Sequence, residues 1–364
     1  MANFTLATPS QNQIWSDNFI TSYVRASTYK QFMSTNNDNI IQVENDLTNK
    51  AGTLIHVPVF DKLRGTANDG TTPLVGNEIA LANYSVAFQT KLVRQATNVQ
   101  ITEELKTELD LRAVNKSALQ RYAAELLKND LNGVMNSIPV VNPTAGLEDL
   151  SVLYSGATAA NLNAFCAANA DRVTFVGGSN SGTMSTSLSS IAASTGVLSA
   201  AVLSAIKDQA DATANGSNFA ITPYQSKDGN PWYVLFVNPV GFRQLRNDPE
   251  IYQSTKDALP RESDSEKNPL FTGGDLIWDG IIIKKNRDYG LLGNVGASSA
   301  PVAQAQLCGI NAAMMGYSMK TKPTRKNEDD YGLNVGIGFM EHRGQTIASV
   351  NGLLTGMVKV FHAS

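Results

Sequence analysis

Two runs of alternating residues, GTLIHVPVF at 52–60 and YSVAFQTKLVRQAT at 84–97, are separated by about twenty residues punctuated by Gly65, Gly70, Pro73 and Gly76. In the first run Ile55, Val57 and Val59 alternate, and Pro58 demotes the strand to an edge position. In the second, Tyr84, Val86, Phe88 and Leu92 point one way, while Asn83, Ser85, Gln89 and Lys91 point the other. That is the spacing of a half-buried strand. The two runs read as a hairpin, yet hairpin connections usually span only about 2–5 residues. A lone two-stranded ribbon is also marginal in water. The spacing therefore predicts an extended arm that must rest on another surface.

The chain has 364 residues, enough for one large domain or two ordinary ones. Its apolar content of 42% supports a core, while its charged content of 17% leaves a surface covered largely by amides, hydroxyls and glycine. Such a surface suits extensive packing against other protein. A net charge of −3 argues against a dedicated nucleic-acid reader. The two cysteines, Cys166 and Cys308, make neither a disulfide framework nor a zinc ribbon and read as reduced core thiols. No secretory leader and no apolar run of membrane-spanning length is seen, so folding in a reducing cytosol without a membrane partner is expected.

The strongest helical pattern runs over 102–137. Thr102 is the expected N-cap, Glu103 and Glu104 complement the positive end of the dipole, and Pro139 closes the segment. Leu105, Leu109, Ala113, Leu119, Tyr122, Ala123, Leu126, Leu127, Leu131 and Val134 form an apolar stripe. About 35 residues would make a beam of ~50 Å. Residues 1–50 are polar, with a short helix near Trp15–Met33, and have little to bury among themselves. Beyond the beam, the pattern predicts helices near 159–169 and 197–212 and a strand near 173–176. PWYVLFVNP at 231–239 reads as a strand covered on both faces. A short helix follows it, then strands near 276–286 and 304–320. The charged segment 320–330 is expected to be exposed, and strand-like runs end the chain.

The search for chemistry comes back thin. His56, His342 and His362 each stand alone in a strand, outside HExxH spacing. GGSNSG at 177–182 approaches a nucleophile elbow but places Asn180 at its centre, so it reads as a loop. No phosphate-cradling glycine motif is present. Lys284, Lys285 and Arg287 read as a solubilising rim, with a phosphate-facing spot as the alternative. Glu328, Asp329 and Asp330 lie beside Lys320, Lys322, Arg325 and Lys326, a mixed-sign run that is either a solvated face or an inter-subunit salt-bridge patch. Neither a catalytic group, a metal site nor a cofactor is expected.

The order of parts resembles the HK97-like fold of tailed-bacteriophage major capsid proteins, and several motifs resemble one podophage branch of it. These are GTLIHVPVF at 52–60, LVGNE at 74–78, FVNPVGFRQLRNDPEI at 236–251, NPLFTGGDLIWDGIII at 268–283 and EDDYGLNVGIGF at 328–339. The resemblance covers roughly residues 50–345 and implies an α+β fold in four parts. These are an N-terminal arm (1–50), an extended two-stranded loop (51–95), a peripheral domain with the spine helix (96–139 and 316–364) and an axial domain (140–315). It implies that Tyr84, Val86, Phe88 and Leu92 lean on a neighbouring subunit. It also implies self-assembly as hexamers and pentamers into an icosahedral head shell in the host bacterial cytoplasm. The implied partners are a portal protein, a separate scaffolding protein and packaged double-stranded DNA, with a cement protein left open. No acidic motif accompanies Lys62, so no covalent cross-link is expected. Two other readings remain at this stage: a nanocompartment shell loading enzyme cargo, and an α/β hydrolase-like enzyme acting through Ser179.

Overall fold

The computed structural model describes residues 29–36, 38–45, 53–60, 67–70, 74–75, 77–79, 83–108, 110–141, 149–215, 219–225, 230–257, 276–326 and 333–364. Its strands sort into two main sheets that differ in burial. At the centre of the larger sheet lie Pro231–Val237, Val302–Cys308 and Met357–Ala363, flanked by Ile281–Lys285 and Leu276–Trp278 on one side and Val173–Phe175 on the other. Residues 233–237 and every residue of the other two central strands are buried. Continuous apolar runs such as YVLFV form strands covered on both faces. Leu276–Trp278 and Ile281–Lys285 are joined by Asp279 (φ 46) and Gly280 (φ 75). A two-residue Asp-Gly turn with both φ values positive matches the twist of the strands it joins.

The smaller sheet has the order Met33–Ser34, Ile41–Glu44, Ala313–Lys326, Asn334–Ile347, Lys91–Gln100. Residues 33–44, expected in the arm, thus belong to this sheet. Ile40 and Ile41 are fully buried in the main core, as is Tyr29. Between Cys308 and Ala313 the chain leaves the larger sheet for the smaller, where one strand over 304–320 is expected from sequence. Gly309 permits the crossing, since a Cβ there would stand 2.4 Å from the Thr222 carbonyl oxygen. The C-terminal strand also departs from expectation. Met357–Ala363 runs through the middle of the larger sheet, between Val302–Cys308 and Val173–Phe175, rather than completing the smaller one.

The beam begins later than its pattern suggests. A short helix, Ile101–Glu104, ends at Leu105, and the long helix spans Leu111–Asn136, 26 residues. At 1.5 Å per residue it is roughly 39 Å long. Asp110, not Thr102, is its N-cap, with Oδ1 accepting from the backbone N–H of Arg112 and Ala113. Glu104 and Arg112 pair across the break at 2.8 Å. Leu119, Ala123, Leu127, Leu131 and Met135 are buried at helical spacing. A polar cluster pins this half of the helix to the larger sheet. Tyr29 Oη donates to Asn132 Oδ1 (2.6 Å), Asn286 Nδ2 donates to the same oxygen (2.7 Å), and Lys359 Nζ donates to the Met135 carbonyl (2.8 Å). These bonds offset the burial of the groups that make them.

His362 lies buried in the C-terminal strand, its Nδ1 2.8 Å from the Ala363 carbonyl oxygen. Burial pushes the imidazole down from 6.5 to about 4, against that hydrogen bond, which raises it. The unfolded chain takes up a proton near pH 6.5, while the folded chain stays neutral until about pH 4. This contribution to stability is therefore complete above the unfolded value and is lost as the pH falls toward the folded one, by up to about 3 kcal/mol. Urea unfolding of unassembled chain at pH 7 and pH 4.5 is expected to show the loss, and His362→Asn to flatten it.

Candidate inter-subunit surface

Leu54–Phe60 and Asn83–Gln89 pair antiparallel from Leu54↔Gln89 to Phe60↔Asn83, so the expected hairpin exists. Its root rests on the chain's own body. Ile55, Val57, Val86 and Phe88 are buried against Met314, Phe219, Ala348 and Val350. Under them, Gly316 and Gly344 are cross-strand partners in the smaller sheet. A Cβ on Gly316 would stand 2.2 Å from Ile55 Cδ1, and one on Gly344 2.4 Å from the Gln89 carbonyl oxygen. The paired glycines leave a dent that the hairpin root fills. At Thr90 the chain changes sheet. Its N–H donates to the Thr53 carbonyl at 2.8 Å, its Oγ1 lies 3.0 Å from Ser318 Oγ, and the next residue opens the strand Lys91–Gln100.

This geometry divides the four residues expected to lean on a neighbour. Val86 and Phe88 are buried within their own protomer, which corrects the expectation for those two. Tyr84 is partly exposed and packs edge-on against Phe219, with ring centroids 5.1 Å apart. Leu92 lies in the other sheet and is 51% exposed. The alternation identifies one face correctly, but it spans a change of sheet. Farther out, the arm shows Phe60, Leu74 and Val75 to solvent at 57%, 69% and 87%. Phe219 and the two glycines escaped the sequence reading. The signal available for the glycines was their isolation inside strand patterns, which marks close backbone approach.

The charged ribbon also divides. Lys322, Arg325 and Lys326 are exposed on the long strand Ala313–Lys326, opposite Met340, Ile337 and Gly336. Glu328, Asp329 and Asp330, and Lys62 of the loop, lie outside the described residues. Beneath the ribbon is an ion-pair network that sequence reasoning missed. Arg343, almost wholly buried, pairs with Asp130 of the long helix and sits 3.0 Å from Glu341 Oε1. Thr321 Oγ1 donates to Glu341 Oε2 at 2.7 Å. Burial pushes the Asp130 carboxyl up, and Arg343 offsets part of that.

Among the described residues there is no cluster of potential metal ligands, and no helix is long and apolar enough to cross a membrane. Cys166 and Cys308 are free and buried. Around Ser179 the hydroxyls serve the loop itself: Ser190 Oγ accepts from the Ser179 N–H and donates to the Ser187 carbonyl, while Ser181 and Ser187 Oγ lie 3.1 Å apart.

A family model described as phage capsid protein matches residues 3–347. The chain is similar to one in the capsid asymmetric unit of cyanophage Pam1, with 32% identity over 100% of this chain and 99% of that one and a TM-score of 0.80. It shares its fold with the capsid of Ralstonia phage GP4 (19% identity, 93% and 91% covered, TM-score 0.73). It also shares it with the head structure of Helicobacter pylori bacteriophage KHP40 (12%, 93% and 90%, 0.63). Among curated proteins, none matches the chain in sequence. The chain belongs to the phage capsid protein family. Its fold is the HK97-like capsid fold, and its role is that of a major capsid protein building the head shell. Nothing in the comparisons or the site favours a cargo-loading compartment or a hydrolase.

Proposed function

We propose that copies of this chain join as hexamers and pentamers into an icosahedral shell around double-stranded DNA, each extended hairpin reaching over the next protomer. One observation carries this. The hairpin is anchored at its root in a glycine dent, yet its outer part presents Phe60, Leu74 and Val75 to solvent. Exposed large apolar residues on a thin arm mark a contact surface. Tyr84 and Leu92 are the remaining accessible members of the expected contact set. The two sheets support a division into a peripheral unit built on residues 33–44, 91–136 and 313–347, and an axial unit built on 149–308 and 357–363. The shell works as a structural wall without catalysis. A wall of net charge −3 encloses DNA without pinning it, since phosphate affinity scales with Lys and Arg contacts. A portal, a separate scaffolding protein and, in some assemblies, a cement protein complete the head inside the host bacterium's cytoplasm.

Purified full-length chain, alone and with its scaffolding protein, is expected to form shells or capsomers in electron micrographs and by sedimentation. A compact monomer under every condition would sink the proposal. Removing residues 1–28, and so sparing the buried Tyr29, is expected to leave a folded protomer with circular dichroism like the intact chain but weaker shells. A chain that no longer folds would place that segment in the core.

A further inference from the structure

Glycines recur farther along the same face, where the space over Gly338 is narrowed by Thr324 Oγ1 and Ala96 Cβ and that over Gly336 by Lys326 Cβ, and no other described element packs on them. Two cross-strand rows, Ala96–Gly338–Thr324 and Asn98–Gly336–Lys326, flank the row Thr97–Ile337–Arg325. Alternation sends both glycine rows to one face and the row between them to the other. The result is an open trough of about 360 Å³ lined by these nine residues. The face is the one turned away from the long helix, because Glu341 and Arg343, of opposite parity to Gly336 and Gly338, face Asp130 of that helix. Gly344, of the same parity as the trough glycines, lies under Phe88 and Gln89 of the hairpin root. One end of this face is thus covered by the chain's own hairpin, and on the other no element of the described residues packs. That end is cationic. Arg94 and Lys322 sit on either side of Met340 in the next row, both exposed, and no ion pair involves them among the described residues.

The complementary surface is on the same chain. The turn between the short and long helices carries Glu103, Glu104, Glu108 and Asp110 against Lys106 and Arg112, and exposes Leu105 at 81%. Glu103 and Glu104 are paired locally, while Glu108 is exposed without an ion pair among the described residues. A hydrogen bond from the Ile101 N–H to the Leu333 carbonyl, 2.9 Å, fixes this knuckle at the same end of the smaller sheet. It starts only three residues beyond Asn98, so knuckle and trough lie within roughly 15 Å along the strand. A donor and an acceptor on one protomer define a head-to-tail contact, which forms a ring where its rotation closes.

We infer that the knuckle 101–110 of a second copy seats Leu105 in the Gly336–Gly338 trough, with its carboxylates against Arg94 and Lys322. This rests on the reading that the chain assembles with itself. The test is disulfide trapping in the full chain, since Cys166 and Cys308 are buried. Leu105→Cys with Ala96→Cys is expected to give, on mild oxidation, a ladder of interchain products ending at a small closed ring, while either single variant gives none. Absence of interchain product, or dimers alone, overturns the inference. So does trapping of Val75→Cys with Ala96→Cys in place of Leu105→Cys, which would make the loop the occupant. Independently, Arg94→Glu with Lys322→Glu is expected to reduce shell yield about tenfold or more, through like-charge repulsion at the seam. Adding Glu103→Lys and Glu108→Lys to the same chain is expected to restore it. If the charge-reversed chain assembles fully and loses only retained DNA, the trough faces nucleic acid and the inference is wrong. Wild-type shells without the trapped ladder refute this seam and leave the capsid reading intact. Wild-type chain that forms no shells, together with no ladder from the double-cysteine chain, refutes both.

Discussion

Arg343→Met is expected to lower the unfolding free energy of the unassembled chain by about 3–5 kcal/mol, the usual cost of removing one partner from a buried ion pair. The guanidinium serves Glu341 beside it in the strand and Asp130 on the helix, and the Glu341 side chain is as buried as its own. Without it, Glu341 keeps its hydrogen bond from Thr321 but loses the positive charge beside it, and the raised Asp130 carboxyl loses the charge that offset its burial. Replacing the whole cluster tests whether the cost is the stranded charge rather than lost packing. Arg343→Met combined with Glu341→Leu and Thr321→Val is expected to recover most of the loss, since apolar substitutes for buried pairs are often neutral or better. Urea midpoints of the two variants decide it. A loss of under about 1 kcal/mol in the single variant would mean the pair is effectively solvated. The network also ties the smaller sheet to the long helix, so the single variant is expected to show smaller, more heterogeneous shells at raised temperature.

What the sequence revealed depended on whether a local pattern had one reading. The stripe Leu119, Ala123, Leu127, Leu131 admits only a helix with one buried face, and the helix is there. Its start is expected at Thr102 from sequence, whereas the structure caps the long helix with Asp110, which is also a good capping type. The choice fell to Asp110 because the strand before Ile101 runs to Gln100, leaving room for only one short turn first. PWYVLFV was legible as a doubly covered strand for the same reason as the stripe. The run QAQLCGINAAMMGYSMK was not. It alternates only weakly, with no break in its pattern at Gly309, and the strand pairing is what reveals that it serves two sheets. The resemblance of GTLIHVPVF and LVGNE to one capsid branch pointed to the family, whereas the ion pairs of Arg343 and the glycine seats need three dimensions. Parity tells which side chains share a face, but not which body covers it.

That limit makes Phe88 and Leu92 the sharpest pair to compare, because the alternation put them in one class and the fold separates them. Phe88→Ala is expected to destabilise the protomer by about 3–5 kcal/mol, the range for emptying a buried aromatic site. Phe88 packs over Gly316 and Gly344, which have no side chains of their own to fill the space the ring would leave. Leu92→Asp, on an exposed strand position opposite His342, is expected to move the urea midpoint by no more than about 0.5 kcal/mol, as surface changes do. Its effect belongs to assembly. Leu92 shares its face with the filled glycine seat on one side and the open trough on the other. A carboxylate there places charge between two contacts that must stay dry. The variant is therefore expected to fold normally and to lose most of its shells, measured by sedimentation at equal protein concentration. Normal shells from Leu92→Asp would remove this face from the subunit interface. An undiminished urea midpoint for Phe88→Ala would mean that the hairpin root lifts from its seat in the free protomer, leaving Phe88 available to a neighbour after all.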